Sequence, residues 1–261
     1  MAKKIKKKKI TKQKKTTSPF KDKDLFEKEI REFVNKFKAT VSNHANRISD
    51  YFEMSCYNLV VRFYENNDYK VSIQNLQDGK YRYKCSPAGI QSNYSFFLVS
   101  KQIGKKELEF EIQHNLATQS SFSNEIFTNP DISVIKKGKS KTTKKYYTIN
   151  RRFSYVKNTD LITFFEVKNF NPFPELIFNF IGIVNELRKD ILTNCAVAKK
   201  PIHLAPSLML SGKPNKQTER IKKSLEERYC INILYDLFDS GISTFSKNKQ
   251  SELRTTGKLS R

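Results

Sequence analysis

Two short strings carry side chains that could do chemistry together: Asn129-Pro130-Asp131-Ile132 opens one apolar run, and Phe165-Glu166-Val167-Lys168 closes another. They supply two carboxylates and an ammonium from what read as neighbouring strands. Side chains alternate along a strand with a period of two, so Glu166 and Lys168 project from one face. The run from Leu161 to Lys168 is otherwise almost wholly apolar, and charge within such a run is costly unless something compensates it. A divalent cation and a phosphate would compensate it. Those are also the components of metal-assisted phosphodiester hydrolysis, in which oxygen ligands hold Mg²⁺ or Mn²⁺ and the ion activates a water. Each string has an ordinary reading too: Asn-Pro-Asp is common turn chemistry, and a Glu-x-Lys pair suits a solvent-facing strand edge.

The elements that must position these groups are legible from periodicity. Asp24 is an N-cap candidate with Glu27 three positions on, and Phe26, Ile30, Phe33, Phe37, Val41, Ile48 and Phe52 recur at helical steps. One long amphipathic N-terminal helix, or two in series, is expected to run to Tyr64. Tyr69 to Ile73 and Tyr81 to Cys85, joined through Asp78-Gly79, read as a β-hairpin. Phe96 to Val99, Leu108 to Gln113, Asp131 to Ile135, Tyr146 to Ile149, Phe153 to Val156 and Leu161 to Lys168 follow as strands. The third of these runs, Asp131 to Ile135, is short and apolar, hence central. Asn171-Pro172-Phe173-Pro174 then breaks the extended chain before a helix from Glu175 to Leu192. Ile202 to Leu210 is expected as a strand, Gln217 to Arg228 as a charged helix and Ile231 to Phe238 as a last strand. The fold class is α/β (α+β), a mixed central β-sheet flanked by helices.

The two strings and this element order resemble the PD-(D/E)XK nuclease superfamily, the restriction-endonuclease-like fold, over roughly the middle and C-terminal thirds of the chain. The resemblance implies that Asp131 and Glu166 bind Mg²⁺ or Mn²⁺. It implies that Lys168 orients or deprotonates the attacking water, or stabilises charge on the pentacovalent phosphorus. A further acidic or polar residue often completes such sites. Glu53, near the end of the N-terminal helical region, is the first candidate for it, and Glu111 and Gln113 come next. Asp160 and Glu175 also lie near the motif, although Glu175 suits the first turn of a helix. The chain departs from the family pattern in the long separation of Asp131 from Glu166, where residues 136–152 read as an inserted hairpin.

Charge points to the same class of partner. The chain of 261 residues has a formal charge of +23, which calls for a polyanion. Residues 1–23 hold a net +10, residues 136–152 hold eight cations and no acid, and residues 240–261 hold +4, so the remainder is near neutral. The insert carries Lys136, Lys137, Lys139, Lys141, Lys144, Lys145, Arg151 and Arg152 around Tyr146 and Tyr147, a mixture suited to phosphate contact and base stacking. Residues 1–23 are expected as a disordered Lys-rich tail, 24–239 as a single domain and 240–261 as a flexible tail. Lys3 to Lys15 would serve equally as a nuclear-localisation patch or a nucleic-acid-binding arm.

Cys56, Cys85, Cys195 and Cys230 form no CxxC pair, and His44, His114 and His203 are scattered. A zinc finger, a disulfide framework and a His-centred nuclease motif are therefore not expected. The Lys-rich start lacks the apolar segment of a secretory signal, and no run reaches the roughly 20 apolar residues of a transmembrane helix. The expected location is cytoplasmic, nucleoid-associated in a bacterium or nuclear in a eukaryote. The leading reading is a metal-dependent DNA endonuclease of restriction, repair or mobile-element type, with a homodimer compatible with double-strand cleavage. The alternatives are a catalytically silent nucleic-acid-binding protein of the same fold and an RNA-directed nuclease or RNA-binding protein.

Overall fold

The computed structural model describes residues 23–42, 47–144, 152–193, 202–238 and 252–256. In chain order the elements are α1 (Lys23–Asn35), β1 (Thr40–Val41), α2 (Ile48–Asn66), β2 (Lys70–Gln74), β3 (Lys80–Tyr81), β4 (Phe96–Ile103), β5 (Lys106–His114), β6 (Ala117–Gln119), β7 (Phe127–Thr128), β8 (Ile132–Lys136), β9 (Lys141–Thr143), β10 (Phe153–Val156), β11 (Leu161–Lys168), α3 (Pro174–Thr193), β12 (His203–Leu204), β13 (Ser207–Leu210), α4 (Lys216–Arg228), β14 (Asn232–Leu234) and β15 (Thr255–Thr256). The fold is mixed α/β. Seven strands form the main sheet in the order β14-β13-β11-β8-β5-β4-β2.

Connection length explains the mixture of strand directions. From β2 to β11 the neighbours are antiparallel, whereas β11, β13 and β14 run parallel to one another. A parallel pair needs a crossover long enough to hold a helix, and α3 and α4 lie in the two segments that connect these strands. The helices cover both faces. Ile30, Phe33, Tyr57 and Val60 of α1 and α2 pack with Phe97, Ile112, Val134 and Phe165 on one side, while Ile177, Phe180 and Val184 of α3 pack with Phe164, Leu208 and Ile233 on the other. Burial on both faces is why the β11 sequence is almost continuously apolar.

Several expected elements are corrected. The N-terminal region, expected as one long helix or two in series, is two helices with a short strand between them: α1 ends at Asn35, Lys38 turns the chain with φ +59°, and β1 intervenes before α2. Residues 69–85 do not form a hairpin. Lys70–Gln74 instead pairs with β4, and Lys80–Tyr81 pairs with β1. Asn75, at φ +55°, turns the chain out of β2, and its amide donates to the carbonyls of Ser92 and Tyr94. The turn at Asp78-Gly79 closes only a single bridge, Gln77 to Lys80.

Residues 202–210 are two strands, split at Ala205-Pro206 because proline has no amide to donate. The last strand is confined to Asn232–Leu234. Part of the tail expected to be loose is paired, since Thr255–Thr256 lies antiparallel to His203–Leu204. Phe153–Val156 belongs to a second sheet, ordered β7-β6-β10-β9, rather than to the main meander. The expected strand from Tyr146 to Ile149 lies outside the described residues, as do residues 1–22, 239–251 and 257–261 of the tails.

One glycine fixes the loop that leaves β11. The Ser211 amide donates to the Lys168 carbonyl at 3.3 Å, and a Cβ on neighbouring Gly212 would stand 2.4 Å from the Asn171 Cα. Backbone cannot yield as a side-chain tip can. Gly212→Ala is therefore expected to destabilise the protein by about 1–3 kcal/mol, as overpacking does. Urea denaturation showing no loss would mean that the two loops are not held in contact.

Candidate functional site

Asp131 is the point at which three strands are stitched together. Its carbonyl accepts from the Asn115 amide at 2.8 Å, just beyond the end of β5. Its Oδ2 accepts from the Val167 amide of β11 at 2.6 Å, so the carboxylate stands in for a backbone acceptor where the β8–β11 ladder ends. The same Oδ2 accepts from Lys168 Nζ at 2.9 Å, and Lys168 Nζ also lies 3.0 Å from Glu166 Oε2. Asp131, Glu166 and Lys168 thus converge at one end of the sheet. Glu166 and Lys168 share the face of Phe164, whose ring packs on Phe180 of α3.

Burial sets the electrostatics. Asp131 is 8% and Glu166 7% exposed. Burial raises the pKa of Glu166 to about 7, and the Asp131 charge pushes it the same way against the pull of Lys168. Burial likewise raises the Asp131 carboxyl above its ordinary value; Lys168 opposes the shift and Glu53 adds to it. For Lys168, burial works against the charge, yet Glu166 and Asp131 outweigh it and hold the amine above the usual lysine value. The partners' shifts point in opposite senses: Lys168 favours the ion pair, the carboxyls resist it. Both follow from one ammonium shared between two desolvated carboxyls. It stays charged, and the two carboxyls titrate as a coupled pair that resists full ionisation.

The structure brings Glu53 to the same end of the sheet from the opposite layer. Its Oε2 lies 3.6 Å from His114 Nε2 and accepts from Asn115 Nδ2 at 3.4 Å. Glu111 and Gln113 are directed elsewhere. Glu111 Oε1 accepts from the Gly138 amide at the start of the insert, and Gln113 Nε2 donates to Glu111 Oε2. Asp160 pairs with Lys136, and Glu175 is an exposed first-turn acid of α3.

The insert's cations divide into two groups. Lys136 pairs with Asp160 at 3.3 Å and Lys137 with Glu109 at 2.7 Å. Both lie at the end of β8 away from Asp131. Lys139, Lys141, Lys144 and Arg152 are exposed. Gln91 links this segment to the end of β5, since its backbone amide donates to Ser154 Oγ and its Nε2 to the His114 carbonyl, and Arg152 and Phe153 directly precede Ser154. Lys145, Tyr146, Tyr147 and Arg151 lie outside the described residues.

Three features escaped sequence reasoning. His114 is buried beside Glu53, neither ring nitrogen has a hydrogen-bond partner among the described residues, and nothing in its isolated position in the sequence marked it. Asn115 adopts φ +51°, a left-handed conformation that asparagine tolerates better than most residues. Phe170 and Phe173 stack with centroids 6.1 Å apart, are 42% and 44% exposed, and begin two residues past Lys168. Their signal was two phenylalanines in an Asn- and Pro-rich loop where a turn needs none.

The donors suit a hard cation. Oδ1 of Asp131 and Oε1 of Glu166 take no hydrogen bond from the described residues, and Mg²⁺ commonly takes one or two carboxylates with the rest of its shell from water and phosphate. Among the described residues no group of three or more His, Cys, Asp or Glu is gathered to hold a metal ion, so any ion here would rest on this pair with Glu53 behind it. Comparison of the chain with family models, characterised proteins and solved structures finds no match. No helix among the described residues is long and apolar enough to cross a membrane. Cys56, Cys85 and Cys230 form no disulfide among the described residues.

Glu166 makes stability depend on pH. Its pKa is raised in the folded state from 4.5 to about 7, so its contribution is fully present below about pH 4.5 and is lost as pH rises through about 7. With chelator present, Glu166→Gln should stabilise the protein at pH 8 by on the order of 1–3 kcal/mol and change little at pH 5. Equal effects at both values in urea denaturation would show that Glu166 is ionised at no special cost.

Proposed function

We propose that the chain is a metal-dependent phosphodiesterase acting on DNA, built on a restriction-endonuclease-like fold. The observation that carries this reading is the convergence of Asp131 and Glu166, from adjacent strands, on the ammonium of Lys168 at one end of the sheet. A mixed sheet with two helices before it, and a helix directly after the Glu-x-Lys strand, supports the fold assignment.

The roles follow from the chemistry of each group. Asp131 and Glu166 would hold Mg²⁺ or Mn²⁺, with Glu53 supporting them through the end of β5. The ion supplies phosphoryl polarisation and a bound water of lowered pKa. Lys168, held in the charged form, orients the attacking oxygen or balances charge on the phosphorus rather than removing a proton. That role needs no change in its protonation at neutral pH.

Substrate class follows from the surroundings. Exposed Lys139, Lys141, Lys144 and Arg152 suit a phosphate backbone, and the +23 charge makes the attraction long-ranged and salt-dependent. The stacked Phe170–Phe173 pair beside Lys168 offers an apolar platform for a base.

Purified protein with Mg²⁺ or Mn²⁺ is expected to cut DNA. Asp131→Asn, Glu166→Gln and Lys168→Ala should each lower the rate by 100-fold or more, on the order of 3 kcal/mol in the barrier, while retaining DNA binding. The rate should rise with pH through about 7 as Glu166 loses its proton. Protein inert with both metals on single-stranded, double-stranded and branched DNA, yet binding it independently of chelator, would replace this reading with that of a silent binding protein.

A further inference from the structure

A concavity is lined by residues that neighbour Asp131 and Asn115 in the chain. It has a volume of about 230 Å³, with Ala88 and Gly89 on one wall, Arg152 and Phe153 on another, and Ala117 and Asn129 where the chain crosses from the main sheet to the second one. Asn129 is two residues before Asp131, and Ala117 is two residues after Asn115, whose amide binds the Asp131 carbonyl. Two residues span at most about 7 Å. The cavity is therefore within one or two nucleotides' reach of the Asp131 carboxylate, given the ~3.4 Å rise of a duplex strand.

Its lining matches a flat heterocycle. Most of the wall is apolar, from Ala88, Gly89, Ala117 and the Phe153 ring, and the polar groups are few. The exposed Asn129 carboxamide offers two donors and an acceptor, the complement of a base edge. Arg152 is exposed and able to take a phosphate oxygen outside. Ser154 Oγ is already committed, since it accepts from the Gln91 amide at 2.9 Å and lies 3.3 Å from Thr142 Oγ1. The volume is below the ~300–1,000 Å³ of pockets for drug-sized ligands, so it suits one ring system.

The cavity is also built in register with the site. Lys84, 1% exposed, donates to Gln91 Oε1 at 2.9 Å and to the Asn115 carbonyl at 2.7 Å. Gln91 Nε2 donates in turn to Gln113 Oε1 and to the His114 carbonyl. One buried hydrogen-bonded chain therefore ties the cavity wall at Ser154 to the residues that hold Asp131 and Glu53. Gly89 completes the wall with φ +95°, where a Cβ would meet the Tyr94 hydroxyl at 2.8 Å.

We propose that this cavity receives a single unpaired base of the DNA substrate, one or two nucleotides from the scissile phosphate, and so favours DNA in which that base is already unstacked. The inference rests on the nuclease reading of the neighbouring site. Extruding a base costs least where it is mismatched, bulged or single-stranded, which converts the cavity into a preference for such substrates.

The test uses the full chain carrying Glu166→Gln, with chelator, and duplexes that hold 2-aminopurine either paired or as a single bulge. The bulged duplex should bind about tenfold or more tightly than the paired one, with a change in 2-aminopurine emission. Ala88→Trp should remove that preference and keep affinity for paired duplex. Ala88 is exposed, and thermal melting would confirm that the variant folds. Asn129→Ala should weaken the preference without filling the space. A preference that survives both substitutions overturns the assignment of the base to this cavity. Equal binding of bulged and paired DNA overturns the inference and leaves the nuclease reading standing, whereas no binding to any DNA sinks both. With wild-type protein and Mg²⁺, cuts should fall one or two nucleotides from the bulge.

Discussion

The hydrogen bonds around Asp131 are the constraint on which the site depends. Proline at 130 removes an amide just where β8 begins, and the strand must be tied at that point by other means. The Asp131 carbonyl ties it to β5 and the carboxylate ties it to β11 through the Val167 amide. A side chain that is part of the backbone ladder has little freedom to move. Glu166 and Lys168 flank that amide in sequence, so the bond that orders the strands also sets the spacing of the three charged groups. Position and chemistry are one arrangement here.

Charge is distributed with the same economy. Within the insert, Lys136 and Lys137 are neutralised by Asp160 and Glu109, while Lys139, Lys141, Lys144 and Arg152 remain exposed. The surplus is therefore concentrated on the insert rather than spread over the near-neutral body. Exposed ion pairs such as Lys137–Glu109 add little to stability, so their main effect is to direct the field.

The local elements were legible in the sequence, and their long-range partners were not. β8, β11, α3 and α4 could be read because their apolar patterns are long or bounded by Pro, Gly and charged residues. The pairing of β2 with β4 could not, because Asp78-Gly79 is as good a hairpin turn as any and only Phe96–Ile103, more than twenty residues on, competes for the strand. The pairing of β15 with β12 spans about fifty residues and leaves no periodic trace in a two-residue strand. The choice among Glu53, Glu111 and Gln113 was likewise tertiary. Each is a polar residue on an amphipathic element, and only the packing of α2 across the end of β5 separates Glu53, which reaches Asn115, from Glu111, which takes the Gly138 amide, and Gln113, which joins Glu111 to Gln91. His114 and Asn115 carried no signal, since a lone histidine in a strand is ordinarily a core residue.

The energetics argue against a purely structural role for the charged trio. Leu161 to Phe165 is an apolar run that the two cores would accept to its end, and buried ion pairs are commonly matched or exceeded in stability by apolar residues of similar size. Two buried carboxyls whose pKa values are both raised contribute less than that, because each resists ionisation while sharing a single counter-charge. Among the described residues, Oδ1 of Asp131 and Oε1 of Glu166 also lack the hydrogen bonds that a structural pair would normally complete. An arrangement that breaks the local rule of its own strand, costs stability and leaves acceptors open is the pattern expected where a site is kept for what it binds. A cation placed on those oxygens would relieve the repulsion between the carboxyls and free Lys168 for a phosphate, so one binding event answers all three departures.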